Sequence, residues 1–244
     1  MKAIFLTARL KSVRLKRKVL LEVNAIPIIQ YLINRILKNT DIKIILCTST
    51  NKQDDDLIDF ARKISLEYYR GSEEDVLDRY YQTALNFNID KFYIIYGDEP
   101  FIDIDLMLET FKNMDQNKSQ FVDNSSYIDG TFGYGMTFKA ISHVVKSKIF
   151  TDLEVWGDFV RSLGEIEVIP NVFEGNKSKV RLTIDYKEDF IVFQEILVYL
   201  KHTYMDCTIP NIVDVYLKND LLRINGHRID DYTKRIVLQA SYEL

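Results

Sequence analysis

Residues 3–22, AIFLTARLKSVRLKRKVLLE, join a short apolar run to a basic segment, and this junction decides the fold. The apolar run predicts a buried first strand that ends at Thr7-Ala8. In the next ten residues six side chains are basic and none is acidic: Arg9, Lys11, Arg14, Lys16, Arg17 and Lys18. A strand that leads into such a loop is typical of an α/β sheet that binds polyphosphate at the carboxyl ends of its strands. A solvated basic turn and a nucleic-acid patch are the alternatives.

The composition of the chain indicates a soluble metabolic protein. Its 244 residues suffice for one large domain with a buried core. The 32 basic and 36 acidic residues give a net charge of −4, which argues against general affinity for nucleic acid. Cys47 and Cys207 are too few and too far apart for a disulfide framework or a zinc site. The first apolar run is too short for a signal peptide, and no run approaches the roughly 20 apolar residues of a membrane span. We therefore expect a cytoplasmic protein without a membrane partner.

Two periodicities alternate through the N-terminal half. Short β-branched or aromatic runs predict buried strands at 3–6, 42–46, 67–69 and 92–96. Helical spacing of apolar residues follows Pro27 and recurs at 54–64, where three aspartates start the helix, and at 74–85. Strands that alternate with helices predict a mostly parallel sheet covered on both faces. The fold class is therefore α/β.

The second half is less regular than the first. Residues 129–135 contain three glycines and predict turns, and 136–141 are compatible with a strand. A helix is predicted at 152–163, a strand at 180–184, a helix at 190–200, and one or two helices in the last forty residues. We interpret residues 1–244 as a single domain with 124–178 as an inserted lobe, in which Trp156 either packs in the core or lines a pocket.

Two aspartates follow predicted strands. Asp98, in Gly97-Asp98-Glu99-Pro100, comes directly after the fourth strand and is predicted to lie beside the basic loop. A carboxylate among phosphates is most simply explained by Mg²⁺, although a turn aspartate that caps a helix is the alternative. Asp185 ends the strand at 180–184 and either completes a metal site with Asp98 or caps the next helix, with Glu188 forming a capping box.

The segment after the third strand begins Arg70-Gly71-Ser72. The Gly-Ser turn can offer backbone groups to a base or a ribose. Asp75 and Arg79 are four residues apart, hence on one helix face, and their spacing fits an exposed ion pair.

Four motifs give the chain a resemblance to the cytidylyltransferases that activate acidic sugars, including CMP-KDO synthetase and CMP-sialic acid synthetase. It looks most like the spore-coat polysaccharide branch. That branch begins A-R-x-x-S-x-R-L-P-G-K-V-L, matched by Ala8, Arg9, Ser12, Arg14, Leu15, Lys18, Val19 and Leu20. Its R-G-S-x-x-D-V-L-x-R-Y is matched by residues 70–80, its G-D-x-P by 97–100, and its R-L-T-V-D-x-x-E-D-F by 181–190 with Ile184 for valine. Its late I-N is Ile224-Asn225.

The resemblance implies a Rossmann-like, GT-A-like three-layer nucleotidyltransferase fold that transfers CMP from CTP to a sugar acid and releases pyrophosphate, for surface polysaccharide synthesis. It also implies Mg²⁺ and a homodimer. By the same resemblance Lys18, Arg9 and Arg14 would be catalytic, and Asp98 and Asp185 would hold the metal. The nucleotide-binding residues would be Ala8, Arg9, Ser12, Lys18, Arg70, Gly71, Ser72, Asp75, Arg79 and Gly97. Residues in or beside the lobe that could pair with a sugar carboxylate are Lys139, Arg161, Lys177 and Lys179.

The chain departs from the family pattern in two places. Lys16-Arg17 replaces the Pro-Gly before the loop lysine, and Ala25 replaces the glycine of G-x-P. These departures motivate one alternative, a nucleotide-binding relative without turnover. Asp103-Ile104-Asp105 motivates another, a glycosyltransferase with a D-x-D metal motif, although Asp103 also fits a helix cap.

Overall fold

A seven-stranded sheet organises the residues that the computed structural model describes, which are 1–116, 119–148, 156–164, 168–170 and 179–229. In chain order the strands are β1 (Lys2–Thr7), β2 (Glu22–Val23), β3 (Ile26–Pro27), β4 (Lys43–Ser49), β5 (Glu67–Gly71), β6 (Lys91–Tyr96), β7 (Phe121–Asp123), β8 (Tyr134–Thr137) and β9 (Val168–Pro170). Their order across the sheet is β5-β4-β1-β6-β8-β7-β9, while β2 and β3 form a separate hairpin. Only β8 runs against its neighbours among these seven strands. The predicted α/β class, its mostly parallel sheet and its four N-terminal strands are confirmed.

Helices connect the strands and follow the last of them. They are α1 (Ile28–Asn39), α2 (Asp55–Lys63), α3 (Val76–Phe87), α4 (Ile104–Gln116), α5 (Phe138–Ser147), α6 (Trp156–Ser162), α7 (Lys187–His202), α8 (Ile209–Lys218) and α9 (Leu222–Asn225). The helices predicted after Pro27, near 54–64, near 74–85 and at 190–200 are confirmed. The start of the helix predicted at 152–163, and much of the lobe, lie outside the described residues. Among the described helices, none combines the length and apolar character that crossing a membrane requires.

Alternation along β1 divides the core into two layers. Ile4 and Leu6 pack on one face of the sheet with the apolar residues of α1, α2 and α4. Ala3 and Phe5 point to the other face, where α3, α5 and α6 cover them. Because successive strand residues face opposite sides, a strand buried on both faces must be apolar on both, as residues 3–6 of β1 are. A third apolar cluster joins α7 and α8 to the β2–β3 hairpin and residues 180–184.

The prediction of a strand at 136–141 is wrong beyond its first residues. The strand is β8, which ends at Thr137, and α5 begins at Phe138. Thr137 ends the strand because its hydroxyl accepts a hydrogen bond from the backbone nitrogen of Ala140 at 3.1 Å, which caps the helix. An apolar run of this length does not by itself distinguish a strand from the first turn of a buried helix.

The prediction of a strand at 180–184 is also wrong, although the segment is extended and buried. Val180, Leu182 and Ile184 alternate into the third apolar cluster. Their backbone pairs with loops, since the Leu182 nitrogen donates to the Asp129 carbonyl and the Ile184 nitrogen to the Asp98 carbonyl, each at 2.9 Å. The approach is so close that a Cβ on Gly130, whose φ is +90°, would lie 2.2 Å from the Thr183 nitrogen. The alternating pattern therefore records burial on both sides and not membership of a sheet.

Two backbone positions explain how the chain accommodates its departures from the family pattern. Arg17 and Ala25 stand where the family has glycine, and both adopt left-handed conformations with φ of +54° and +61°. Ala25 completes the two-residue turn of the β2–β3 hairpin together with Asn24. A residue with a Cβ pays about 1–2 kcal/mol for this conformation. Arg17 offsets part of that cost through an ion pair with Asp56.

Asp189 anchors the segment that carries Asp185. Its carboxylate accepts from Arg181 Nε and Nη2 at 3.0 and 3.1 Å, and from Asn225 Nδ2 at 2.9 Å. It also accepts from the backbone nitrogens of Asp185 and Tyr186 at 3.0 Å. Helix α7 is therefore capped by Tyr186 and Asp189, and the alternative in which Asp185 and Glu188 form the cap is wrong. Asp185 is left available to the site because Asp189 supplies the cap.

Replacing this buried carboxylate tests the anchor. We expect Asp189→Asn to lower the free energy of unfolding by about 3–5 kcal/mol, because Arg181 would lose its main counter-ion and keep only the Asp185 carboxylate, which Lys18 and Arg14 share. Asp214→Asn is the matched control, since Asp214 pairs with Lys218 on the surface and should cost less than about 0.5 kcal/mol. Urea unfolding of both variants measures the difference, and equal losses would contradict the assignment.

Candidate active site

Hydrogen bonds between backbone atoms of the basic loop and other segments fix the loop after β1. The Gly97 nitrogen donates to the Thr7 carbonyl at 2.8 Å, and the Ala8 nitrogen to the Cys47 carbonyl at 3.3 Å. Asp54, which is fully buried, accepts from the Leu10 nitrogen at 2.7 Å. Sequence reasoning assigned Asp54 only to a helix start, and nothing in its spacing signalled the contact with the loop. The loop is therefore preorganised by the ends of three strands and one buried carboxylate.

Lys18 joins the two predicted metal ligands. Its ammonium contacts the carboxylate of Asp98 and lies 2.8 Å from Asp185 Oδ1. Arg14 Nη2 lies 2.7 Å from the same Asp185 oxygen, and Arg181 Nη2 holds the other at 3.0 Å. The structure thus brings the loop cations and the carboxylates of Asp98 and Asp185 to one point, which sequence alone could not establish.

These charges shift the pKa values of the groups that carry them. Burial alone would lower the pKa of the Lys18 ammonium, but the charges of Asp98 and Asp185 outweigh it and raise that pKa above its ordinary value. Burial alone would raise the pKa of Asp185, but the three cations around it hold that pKa well below its usual range. Both groups are therefore ionised at neutral pH.

Two residues at the site were missed by sequence reasoning. Glu99 is buried, and burial together with the nearby charges of Asp98 and Asp129 raises the pKa of its carboxyl well above the usual range. Tyr186 lies beneath the Arg14 guanidinium, whose carbon is 5.2 Å from the ring centroid, and beneath that of Arg228 at 4.1 Å. This stacking orients Arg14 toward Asp185.

A cavity of about 600 Å³ opens beside these groups. This volume is typical of small-molecule sites. Of the predicted residues, those that line it are Ala8, Arg9, Ser12, Arg14, Lys18, Arg79 and Asp98. Its described wall carries five basic side chains and three acidic ones. The basic residues are Arg9, Lys11, Arg14, Lys18 and Arg79, and the acidic residues are Glu73, Glu74 and Asp98. The excess of positive charge favours an anionic ligand.

The segment 70–79 divides between structural and cavity-facing roles. Arg70 lies outside the described wall of the cavity, with Nε donating to the Ser49 carbonyl and Nη2 to the Asn51 carbonyl, both at 2.9 Å, and with Asp55 2.8 Å from Nη1. Ser72 accepts from the Asp75 nitrogen at 3.0 Å, and Gly71 ends β5. The predicted exposed Asp75–Arg79 ion pair is wrong. Asp75 caps α3 and pairs with Lys148, while Arg79 is fully buried.

The predicted acceptor-binding and D-x-D residues lie away from the described wall of the cavity. Lys139 is exposed on α5, Lys179 is exposed before the extended segment, and Lys177 lies outside the described residues. Arg161 is paired with Asp123 and Asp158. Asp103 caps α4 by accepting from the Leu106 nitrogen at 3.2 Å, as its alternative interpretation predicted.

Asp98 and Asp185 could hold a divalent cation. Both carboxylates contact the ammonium of Lys18. A metal ion placed at that ammonium position would therefore have two carboxylate oxygens as ligands. No group of three or more metal-binding side chains occurs among the described residues. This donor set fits a hard cation such as Mg²⁺, which takes one or two carboxylates and completes its shell with water and substrate phosphate.

The low pKa of Asp185 generates a testable pH dependence. Its stabilising contribution is present above the pKa of about 4 that it has in the unfolded chain, and is lost as the pH falls below that value. We expect the difference in unfolding free energy between wild type and Asp185→Asn to narrow by about 1.4 kcal/mol per pH unit below about pH 4. Urea unfolding between pH 7 and pH 3 measures the gap, and a gap independent of pH would overturn the assignment.

Comparison with known proteins places this arrangement in a family. The solved structure of a cytidylyltransferase from Leptospira borgpetersenii aligns with a TM-score of 0.82 at 22% identity, covering 92% of this chain and 97% of that one. CMP:2-keto-3-deoxy-manno-octonic acid synthetase in complex with CTP aligns with a TM-score of 0.62 at 12% identity, covering 81% and 98%.

In sequence, an uncharacterized protein of Methanocaldococcus jannaschii is 27% identical over 232 residues, which are 88% of this chain and 90% of that protein. A family model described as cytidylyltransferase matches residues 3–155, more than half of the 244 residues. The two aspartates, the basic loop and the cavity beside them thus lie on the fold of known nucleotidyltransferases, and the chain belongs to the cytidylyltransferase family.

Proposed function

We propose that the chain transfers CMP from CTP to the hydroxyl of a sugar acid, with release of pyrophosphate, in glycan synthesis of the spore-coat polysaccharide type. One observation carries the proposal. Lys18 and Arg14 of the basic loop lie within 2.8 Å of Asp185 at the edge of a cavity of about 600 Å³. This arrangement combines anion donors with metal-type oxygen donors, which is what a nucleoside triphosphate with its cation requires.

The loop cations exchange partners when the nucleotide binds. Without nucleotide, the charges of Lys18 and Arg14 are balanced by Asp98 and Asp185. A triphosphate brings about four negative charges and bidentate acceptors, which guanidinium binds more strongly than a single shared carboxylate oxygen. Arg9 and Ser12 line the same wall and add donors. The carboxylates released in this exchange become available to the cation that accompanies the triphosphate.

Asp98 and Asp185 would hold that cation, which we propose is Mg²⁺. When bound, it would supply positive charge that neutralises the phosphate groups at the reacting centre. The Asp98 carbonyl fixes this pair, because it accepts from the Ile184 nitrogen at 2.9 Å and so ties the end of β6 to the residue before Asp185. The separation of the two backbone segments that carry these carboxylates is therefore fixed by a backbone hydrogen bond.

In this reaction the protein positions the two substrates and neutralises the negative charge of the phosphates. The acceptor oxygen forms a bond to the α-phosphorus, the bond from that phosphorus to the bridging oxygen breaks, and the hydroxyl proton is released. Lys18, which the geometry keeps charged, stabilises the negative charge that develops on the departing pyrophosphate. Arg14, held over Tyr186, orients the β- and γ-phosphates for in-line departure.

The lobe at 124–178 is proposed to complete the sugar site and a homodimer contact, with the carboxylate held by one of the basic residues in or beside it. A glycosyltransferase is a weaker candidate because Asp103 of its D-x-D motif is used to cap α4. A relative without turnover is favoured only by the replaced Pro-Gly, and Arg17 retains the left-handed backbone at the glycine position.

A screen of pyrophosphate release tests the function. We expect release with CTP, Mg²⁺ and a keto-sugar acid, and its loss in Asp98→Asn with the fold retained in circular dichroism, because the cation would lose one of its two carboxylates. The panel contains the four ribonucleoside triphosphates, sugar acids and sugar 1-phosphates. Release only with a sugar 1-phosphate would reassign the chain to pyrophosphorylases, and silence with bound CTP would favour the inactive relative.

Comparing Lys18→Ala with Lys16→Ala separates catalysis from general attraction. We expect Lys18→Ala to lower kcat by about 100-fold or more, because a well-placed charge near the departing pyrophosphate would be lost. Lys16 is exposed in the same loop, so Lys16→Ala should act mainly by raising KM. Steady-state kinetics with CTP measures both parameters. Small and equal effects of the two substitutions would show that the loop attracts the nucleotide only through its general positive charge.

A further inference from the structure

Glu73 connects three loops at the wall of the cavity. It lies between β5 and α3, and its Oε2 accepts a hydrogen bond from Nδ2 of Asn51, which follows β4, at 2.7 Å. Its Oε1 lies 3.0 Å from Lys11 Nζ in the loop after β1, and its backbone carbonyl accepts from Arg9 Nη1 at 2.9 Å. Arg9, Lys11 and Glu73 all line the cavity. One residue of the segment after β5 therefore contacts two cations of the basic loop.

The carboxylate of Glu73 is held more firmly than the ammonium of Lys11. The side chain of Glu73 is 22% exposed and is fixed by Asn51, whereas the side chain of Lys11 is 63% exposed. The hydrogen bond from Asn51 and the contact with Lys11 lower the pKa of the Glu73 carboxyl, which is therefore ionised at neutral pH. Because a lysine carries its charge on a flexible stem, Lys11 can turn to another anion while Glu73 stays in place.

A fixed carboxylate opposes the binding of an anion in this cavity. An exposed ion pair changes an equilibrium by a factor of at most about 5, so the pair between Lys11 and Glu73 is easily replaced. A polyphosphate offers the ammonium several negative charges instead of one, and charged acceptors make the stronger hydrogen bonds. The pair therefore does not prevent binding, but every polyphosphate that reaches Lys11 must first displace Glu73.

We propose that Glu73 is an internal competitor for the phosphate groups of the ligand and limits the affinity of the cavity for polyphosphate. The inference rests on the proposed function, which assigns the basic loop to the triphosphate, and it gives a role to a residue that this function does not use. In the free protein Glu73 pairs with Lys11, and in the complex Lys11 faces phosphate oxygens. When pyrophosphate leaves, Glu73 pairs with Lys11 again. The competition thus favours the release of the product.

Removing the charge of Glu73 tests this competition. Glu73→Gln keeps an oxygen that can accept from Asn51, and it leaves the carbonyl that holds Arg9 unchanged. We expect inorganic pyrophosphate and CTP each to bind this variant about 5-fold more tightly than the wild type, because Lys11 no longer has to leave a counter-ion. Titration calorimetry without an acceptor sugar measures both affinities, so the result does not depend on turnover.

Glu74 provides the matched control. It is exposed and lines the same cavity, but the described ion pair of Lys11 is with Glu73. Glu74→Gln removes the same charge from the same wall and should change the two affinities by less than about 2-fold. Equal tightening in the two variants would show general repulsion by the wall and would overturn the inference.

A double substitution assigns the effect to the ion pair. Lys11→Met keeps an unbranched side chain and removes the ammonium. In this background we expect Glu73→Gln to tighten pyrophosphate binding by less than about 2-fold, because no ammonium remains for the carboxylate to hold. A gain of about 5-fold that persists without Lys11 would contradict the competition.

The remaining outcomes separate this inference from the proposed function. If neither pyrophosphate nor CTP binds the wild type, the proposed function fails, and the inference fails with it. If both bind the wild type and Glu73→Gln tightens neither, only the inference fails. Tighter binding of CTP without tighter binding of pyrophosphate would overturn the role in product release. In the turnover assay, Glu73→Gln should lower the KM for CTP and strengthen inhibition by pyrophosphate.

Discussion

The placement of one ammonium group between two carboxylates holds the site together. Lys18 comes from the loop after β1, Asp98 from the end of β6, and Asp185 from the extended segment before α7. Each charge is buried enough that it would be costly alone. Because each compensates another, the three segments must meet, and the cavity takes its shape from that meeting.

The rigidity of the loop does not depend on the residue types that usually provide it. Arg17 and Ala25 adopt left-handed conformations at positions where the family pattern has glycine, and this backbone conformation is strained for residues with a Cβ. That strain is offset by contacts outside the loop, notably Asp54 on the Leu10 nitrogen and Asp56 on Arg17. In this chain, ion pairing with the start of α2 takes the place of the stiffness that a Pro-Gly pair would give the loop. A basic loop can retain its geometry in this way while it gains positive charge.

Arg70 and Arg79 show how identical side chains acquire different roles within one motif. Both belong to the segment that resembles the family, and they are nine residues apart. Arg70 is satisfied by backbone carbonyls and Asp55, and so fixes the ends of β4 and β5 to each other. Arg79, on α3, is fully buried, and its Nη1 donates to the Ser72 carbonyl at 3.0 Å. The difference arises from the partners that the fold supplies, because the two side chains have the same chemistry.

The sequence by itself determined the α/β class, the four parallel strands, the helices between them and the residues of the basic loop, because apolar periodicity and turn residues act over a few positions. Only the tertiary structure decided what depends on distant partners. Residues 180–184 alternate like a strand but pair with loops, and Asp75 and Arg79 have ion-pair spacing but separate into a cap and a buried cation. From the sequence, Asp185 is equally compatible with capping α7 and with binding a metal. In the structure Asp189 caps the helix, because its carboxylate accepts from the backbone nitrogens of Asp185 and Tyr186. Spacing along a chain limits which groups can meet, and burial and charge compensation in three dimensions determine which of them do.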